Sequence, residues 1–197
     1  AAAAAGAAKG AAAPAPGGRR SLFLRRDRQM NIGLNLDALD PTTAFVDHIV
    51  PGAVQAWNAL HPAMDHLKIY DRIISVNGVS GNTDDLLTEL RSQDTWDITV
   101  VRPVEIRVVV DCARFRSLGL DLKYSPNGST LLIAELGDGA IAQWNQNILR
   151  DEGPSTMTVT RCDRIVELNG ARGDAKKLLE AAADTQMLHM TILHYEG

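Results

Sequence analysis

Read as a pattern of apolar and polar positions, this chain repeats itself. Ile32-Gly33-Leu34-Asn35-Leu36 returns as Leu118-Gly119-Leu120-Asp121-Leu122. Pro51-Gly52-Ala53-Val54-Gln55-Ala56-Trp57-Asn58 returns as Asp138-Gly139-Ala140-Ile141-Ala142-Gln143-Trp144-Asn145. Asp71-Arg72-Ile73-Ile74-Ser75-Val76-Asn77-Gly78 returns as Asp163-Arg164-Ile165-Val166-Glu167-Leu168-Asn169-Gly170. The offsets are 86, 87 and 92, so the second copy carries a longer loop after the shared Trp-Asn. Three matches in one order identify a duplicated unit, and each copy must bury its own core.

The pattern within the first copy predicts its elements. Ser21–Arg25 and Leu34–Leu36 read as short strands, and Ala44–Val50 as a third with Phe45, Val46 and Ile49 available for burial. Pro51-Gly52 signals a turn into a helix over Gly52–Leu60. Ile69–Asn77 reads as a strand closed by the Asn77-Gly78 turn dipeptide. Asp84–Arg91 has Leu86, Leu87 and Leu90 on one helical face, with Thr83 as the expected N-cap. Ile98–Val101 is a last β-branched strand, stopped by Pro103. The second copy repeats the order: strands at Ile106–Val110, Leu120–Leu122 and Leu131–Leu136, a helix over Gly139–Asn145, a strand at Arg164–Asn169, a helix over Asp174–Ala183 and a strand at Leu188–Leu193. The boundary falls near Arg102–Glu105 with almost no linker, which restricts relative motion of the two units.

At the level of these residues the chain resembles the PDZ family. Ile32-Gly33-Leu34 stands where PDZ domains carry a Gly-Leu-Gly-Phe-type loop. Phe45-Val46-Asp47-His48-Ile49-Val50-Pro51-Gly52-Ala53 is similar to their F-V-x-x-I-x-P-G-x-A, and Leu67 to Gly78 to their L-x-x-G-D-x-I-L-x-V-N-G. The implied fold is α+β, mainly β: two small, partly open β-barrels or sandwiches, each capped by two helices, over 21–102 and 104–197, behind a low-complexity tail, 1–20. The implied function is recognition of an extended peptide that adds as a strand beside the second strand, its terminal carboxylate held on loop N–H groups. On that reading Ile32, Gly33, Leu34, Leu36, Leu87 and Leu90 form the first site and Leu118, Gly119, Leu120, Leu122, Leu179 and Ala182 the second. Thr83 and Ala175 stand at the first position of the long helix, where the family's commonest ligand class requires His. Tyr70 and Cys162 replace the glycine that usually precedes the Asp.

Charge changes the picture at the N-terminus. Residues 1–30 carry six Lys/Arg against Asp27, while the whole chain is at −4. A basic arm on an acidic body suits an acidic protein face or anionic surface. Residues 1–18 are nearly all Ala, Gly and Pro, cannot build a core, and are similar in composition to an organelle-targeting remnant. This gives a second expectation: an accessory subunit of a large plastid or mitochondrial complex, for instance a photosystem, in which the domains pack as blocks and the tail threads between neighbours.

Candidate chemistry is sparse. His61, Asp65 and His66 are loosely metal-like but lack a third ligand at zinc spacing. No nucleophile elbow and no phosphate-cradling glycine motif occurs, so no catalytic residue, cofactor, metal or specific nucleic acid is expected. No apolar run reaches the roughly 18–20 residues of a membrane span. Cys112 and Cys162 read as free thiols. Trp57 and Trp144, recurring at one repeat position, read as core anchors, and the unmatched Trp96 as the candidate for a partner contact. The expected partners are proteins: peptide C-termini, internal strands or neighbouring subunits.

Overall fold

The computed structural model describes residues 17–26, 30–115, 117–151, 157–183 and 186–196. Most of the predicted tail, with Lys9, lies outside them, as does Arg28. The first half runs β1 (Arg19–Arg25), β2 (Leu34–Asp37), β3 (Ala44–Ile49), α1 (Ala53–Leu60), β4 (Arg72–Val76), β5 (Val79–Ser80), α2 (Thr83–Ser92) and β6 (Thr95–Val101). The second runs β7 (Val104–Asp111), a 3-10 turn (Cys112–Arg114), β8 (Leu120–Lys123), β9 (Leu131–Leu136), α3 (Ala140–Arg150), β10 (Arg164–Leu168), β11 (Ala171–Arg172), α4 (Ala175–Ala182) and β12 (Met187–His194). Each half is an antiparallel sheet, ordered β1-β6-β4-β3-β2 and β7-β12-β10-β9-β8, with β5 and β11 as spurs on β4 and β10. Neither sheet closes on itself, so β2 and β8 are edges.

Alternation along the strands explains the layers. On β1, Leu22 and Leu24 are buried while Ser21, Phe23 and Arg25 face outward. Their inner faces join α1 and α2 in one core around Trp96, Leu24, Ile73 and Leu86, and α3 and α4 cover the equivalent core around Ile133, Ile141, Ile165 and Leu178. Asn77-Gly78 and Asn169-Gly170 turn the chain with positive φ at both residues (50° and 83°, 48° and 85°), the geometry a two-residue hairpin turn needs.

The structure differs from the sequence expectations at several points. The N-cap of α2 is Asn82, whose side chain accepts from the Asp85 N–H, and Thr83 is the first helical residue. The strand expected from Ile69 begins at Arg72, because Tyr70 is in the left-handed region (φ 73°) and breaks the pleat. Helix α3 continues past Asn145 to Arg150, so part of the longer second loop is helix. Trp96 is not a surface contact: it is fully buried, with Arg26 stacked 5.3 Å from its ring centroid. Trp57 and Trp144 are half-buried and pack against the two cores.

The conserved spacing of Trp-Asn in the two copies has a physical reason in the Asn. Asn58 spans both backbone groups of Leu67, donating to its carbonyl at 2.8 Å and accepting from its N–H at 3.1 Å. Asn145 does the same to Val159, at 2.7 and 2.8 Å. Loops of different length therefore close on the same clamp and deliver Leu67 and Val159, each 1% exposed, into the cores. The aspartates that follow are also matched. Arg102 holds Asp71 through two hydrogen bonds of 2.9 and 2.8 Å, and His194, at the same repeat position as Arg102, holds Asp163 at 3.1 Å.

The halves meet through a third apolar cluster of Phe45, Val101, Val166, Leu193 and Tyr195, joined by Tyr70 and Ile74. Two guanidiniums from the same repeat position cross it. Arg164, 1% exposed, lies 3.9 Å over the Phe45 ring and donates to Asp37 at 2.9 Å and to Thr130 at 3.0 Å. Arg72 lies 3.6 Å over the Tyr195 ring and donates to the Cys162 carbonyl, while the Tyr195 hydroxyl donates to the Tyr70 carbonyl at 2.8 Å. Each half thus binds the carbonyl of the other half's left-handed residue, Tyr70 (φ 73°) or Cys162 (φ 69°). Burial alone would raise the Asp37 carboxyl; the hydrogen bond and charge of Arg164, with donors from Leu39 and Ser125, reverse this and hold it below the ordinary range.

Two predictions follow from this packing. Arg164→Ala strands the Asp37 carboxylate without its cation and should cost about 3–5 kcal/mol, read as a lower urea midpoint; a loss under about 1 kcal/mol would remove Arg164 from the interface account. The Asp163 hydrogen bond and charge, helped by Glu196 and opposed by burial and Arg72, raise His194 above its ordinary value. Protonated His194 therefore contributes stability that is fully present below about pH 6.5 and fades as pH rises through the raised folded value. The melting temperature should fall over that interval, and His194→Gln should flatten the slope; an unchanged slope in His194→Gln would assign it to other groups.

Candidate functional site

The two edge strands share one construction. Among the described residues β2 pairs only with β3 and β8 only with β9, and both ladders shift register at the same place, between Asn35 and Leu36 and between Asp121 and Leu122. The loop before each edge strand is fastened through its carbonyls. Those of Asn31, Ile32 and Gly33 accept from the N–H groups of Ala53, Val54 and Val50, and those of Ser117, Leu118 and Gly119 from Ala140, Ile141 and Gly137. The first two bonds in each set satisfy orphan donors at the start of α1 and α3. Among the described residues no backbone carbonyl accepts from the N–H of Ile32, Gly33, Leu118 or Gly119.

This fastening needs glycine twice per copy. Gly33 has φ +81°, and a Cβ there would lie 2.6 Å from the Val50 carbonyl oxygen and 2.9 Å from the Gly52 Cα. A Cβ on Gly52 would lie 2.6 Å from the Gly33 Cα. Gly119 (φ +75°) and Gly139 interlock in the same way. The Gly of the apolar loop and the Gly of the helix turn are thus two sides of one backbone contact.

The remaining predicted site residues divide into two groups. Ile32, Leu34, Leu36 and Leu87 are half-buried and pack on the rim of the first core, and Leu118, Leu120, Leu122, Leu179 and Ala182 do so on the second. Each set thus lies at the margin of its own core, partly open to solvent. Leu90, Thr83 and Ala175 lie deeper, at 3%, 3% and 1% exposure. Thr83 is turned inward because its hydroxyl donates to the Asp40 and Thr43 carbonyls, at 2.6 and 3.1 Å. The Thr83 N–H donates to the Pro41 carbonyl and the Ala175 N–H to the Gly128 carbonyl, both at 2.9 Å. The first helical residue therefore ties α2 or α4 to the loop beyond the edge strand. Leu90 belongs to the core with Leu86.

The charges near the site have local partners. Asp174 caps α4, accepting from the N–H groups of Lys176 and Lys177; these bonds hold its carboxyl below the ordinary range and offset the lysine pair in the first turn. The histidines of the first long loop are tied to backbone, His61 to the Trp57 carbonyl at 2.7 Å and His66 to the His61 carbonyl at 2.8 Å. No group of three or more metal-ligating side chains occurs among the described residues. Both cysteines are free, and burial pushes their thiols up, away from the reactive thiolate. Sequence reasoning missed Asp37 and Arg164. Asp37 gave a faint signal, as an acid closing the short Leu34-Asn35-Leu36 strand.

No protein-family model matches the chain, and no curated protein matches it in sequence. Among solved structures it is similar to a complex of INAD PDZ45 with NORPA CC-PBM, at 18% identity over 95% of this chain and 97% of that chain, with a TM-score of 0.38. It is also similar to INAD PDZ45 in complex with an NG2 peptide, at 20% identity over 97% and 96%, with a TM-score of 0.37. Strand order, helix placement and the Gly-containing loop recur in both halves, so the chain is built from two copies of one unit.

The glycine geometry sets a graded expectation. Gly78 also has positive φ (83°) but open space around its Cβ position. Gly78→Ala should cost only the left-handed penalty, about 1–2 kcal/mol. Gly33→Ala adds an overlap with backbone and should cost about 1–3 kcal/mol more. Equal midpoints of the two variants in chemical unfolding would contradict the interlock.

Proposed function

We propose that the chain is a non-catalytic protein-interaction module that takes extended peptides as added strands along β2 and β8. The observation that carries this reading is the loop before each edge strand. Its carbonyls are all spent on the inner side, while consecutive N–H groups at Ile32 and Gly33, and at Leu118 and Gly119, have no backbone acceptor among the described residues. Converging N–H groups make a seat for an anion, and a peptide C-terminal carboxylate is the anion that arrives with a strand attached. The apolar strip then receives the last side chain: Leu34, Leu36 and Leu87 in the first half, Leu120, Leu122 and Leu179 in the second. Main-chain bonds along the edge supply affinity independent of sequence, and the strip supplies selection for an apolar C-terminal residue. Thr83 and Ala175, buried beneath the surface, do not read the ligand.

Fluorescence polarisation with a library of free-acid peptides ending in an apolar residue tests the reading. C-terminal amidation should weaken binding at least tenfold, and so should Leu87→Lys for peptides seated in the first half. Equal binding of acid and amide would sink the carboxylate seat and leave internal strand addition in its place.

A further inference from the structure

We infer that the first binding strand is read on two faces, and that the second half of the chain supplies part of the outer face, which takes a basic peptide side chain. This rests on strand addition along β2. Side chains of an added strand alternate between the faces of the sheet. One set meets Leu34, Leu36 and Leu87. The other set emerges beside Asn35 and Asp37, over β3, where a cavity of about 420 Å³ opens. Its walls come from both halves: Asp37, Asp47 and His48 from the first, Ser125, Asn127 and Gly128 from the β8–β9 loop of the second. That loop is held across the boundary, Ser125 donating to Asp37 at 3.1 Å and Ser129 donating to Asp47.

The same arrangement recurs in reverse, and its difference indicates the ligand chemistry. The β2–β3 loop of the first half, at Leu39, Asp40 and Pro41, reaches over β8 and β9 and bounds a second cavity of only about 150 Å³. Arg161 lines that space, its guanidinium donating to the Ala134 carbonyl at 3.1 Å and standing 3.7 Å from Glu135. The residue at Arg161's repeat position in the first half is Ile69, which is half exposed and carries no charge. Asp47 and His48 occupy the positions of Ala134 and Glu135. The first half therefore has room there and two carboxylates, Asp37 bound by Arg164 and Asp47 bound by Ser129 and His48, with the uncharged Ile69 where Arg161 stands. A Lys or Arg of the peptide takes the place that Arg161 has in the second half. With the carboxylate seated beside Gly33 the peptide runs antiparallel to β2, so its second and fourth residues from the C-terminus face outward, the fourth reaching Asp37.

The test uses the full chain labelled for amide NMR and a set of free-acid octapeptides differing only at the fourth residue from the end: Lys, Ala or Glu. Lys should bind at least fivefold tighter than Ala and more than that over Glu, and it should shift the amides of Asn127 and Gly128 together with those of Asn35 and Leu36. Asn127→Arg should reduce the Lys-to-Ala ratio below twofold. If peptides move the β2 amides but leave residues 125–128 unmoved, or if Lys and Glu bind alike, the composite face is overturned while strand addition stands. If no peptide moves the β2 amides, both fail together. Concentration-dependent shifts at Asn127 without peptide would give the cavity to a second copy of the chain and also overturn the inference.

Discussion

Two guanidiniums, Arg164 fully buried and Arg72 partly so, hold this molecule in one arrangement. Arg72 and Arg164 occupy the same position in the repeat, and each leaves its own half to stack on an aromatic ring at the junction. A buried cation tolerates little displacement, because every lost partner leaves an unsatisfied charge in a poorly polarisable setting. Arg164 has a carboxylate, a hydroxyl and a ring; Arg72 has a ring and a backbone carbonyl. The two halves can thus slide or rotate only by breaking these contacts together with the apolar cluster around Phe45 and Tyr195. The short Arg102-Pro103 connection adds to that restraint.

The same junction accounts for the left-handed backbone at Tyr70 and Cys162. A residue other than glycine in the left-handed region costs on the order of 1–2 kcal/mol. Here the strained residues are the ones whose carbonyls face the partner half and are bound by it. Tyr70 also stacks on Phe45, with ring centroids 5.9 Å apart, which a glycine could not do. The local conformational cost at these positions is set against contacts that exist only in the assembled pair.

Docking has consequences for the edge strands. The loop after β8 and the loop after β2 each lie across the other half's outer strands, so neither edge is surrounded by its own half alone. Asp37 belongs to both regions: it ends β2, and its carboxylate is the anchor for Arg164. A ligand strand lying beside β2 would therefore lie against an element whose far end is held by the second half.

Much of the architecture was legible along the chain because it is local. Period-two alternation, the Asn-Gly turns and the leucine face of α2 depend on neighbours within a few residues, and the three repeated blocks placed them twice. Local patterning also misled. Thr83 looked like a cap, but Asn82 one residue earlier takes that role, freeing the Thr83 hydroxyl to reach back to the carbonyls of Asp40 and Thr43. Trp96 looked unpaired because its partners, Leu24 and Ile73 among them, come from distant strands. The sequence by itself determined the duplication, the order of elements and the glycine-dependent loops, since backbone sterics and hydrophobic period act at short range. Only the tertiary structure decided which arginines cross the junction, what faces Asp37, and how the halves share their edges, since buried charge is satisfied by groups up to 127 residues away in the chain.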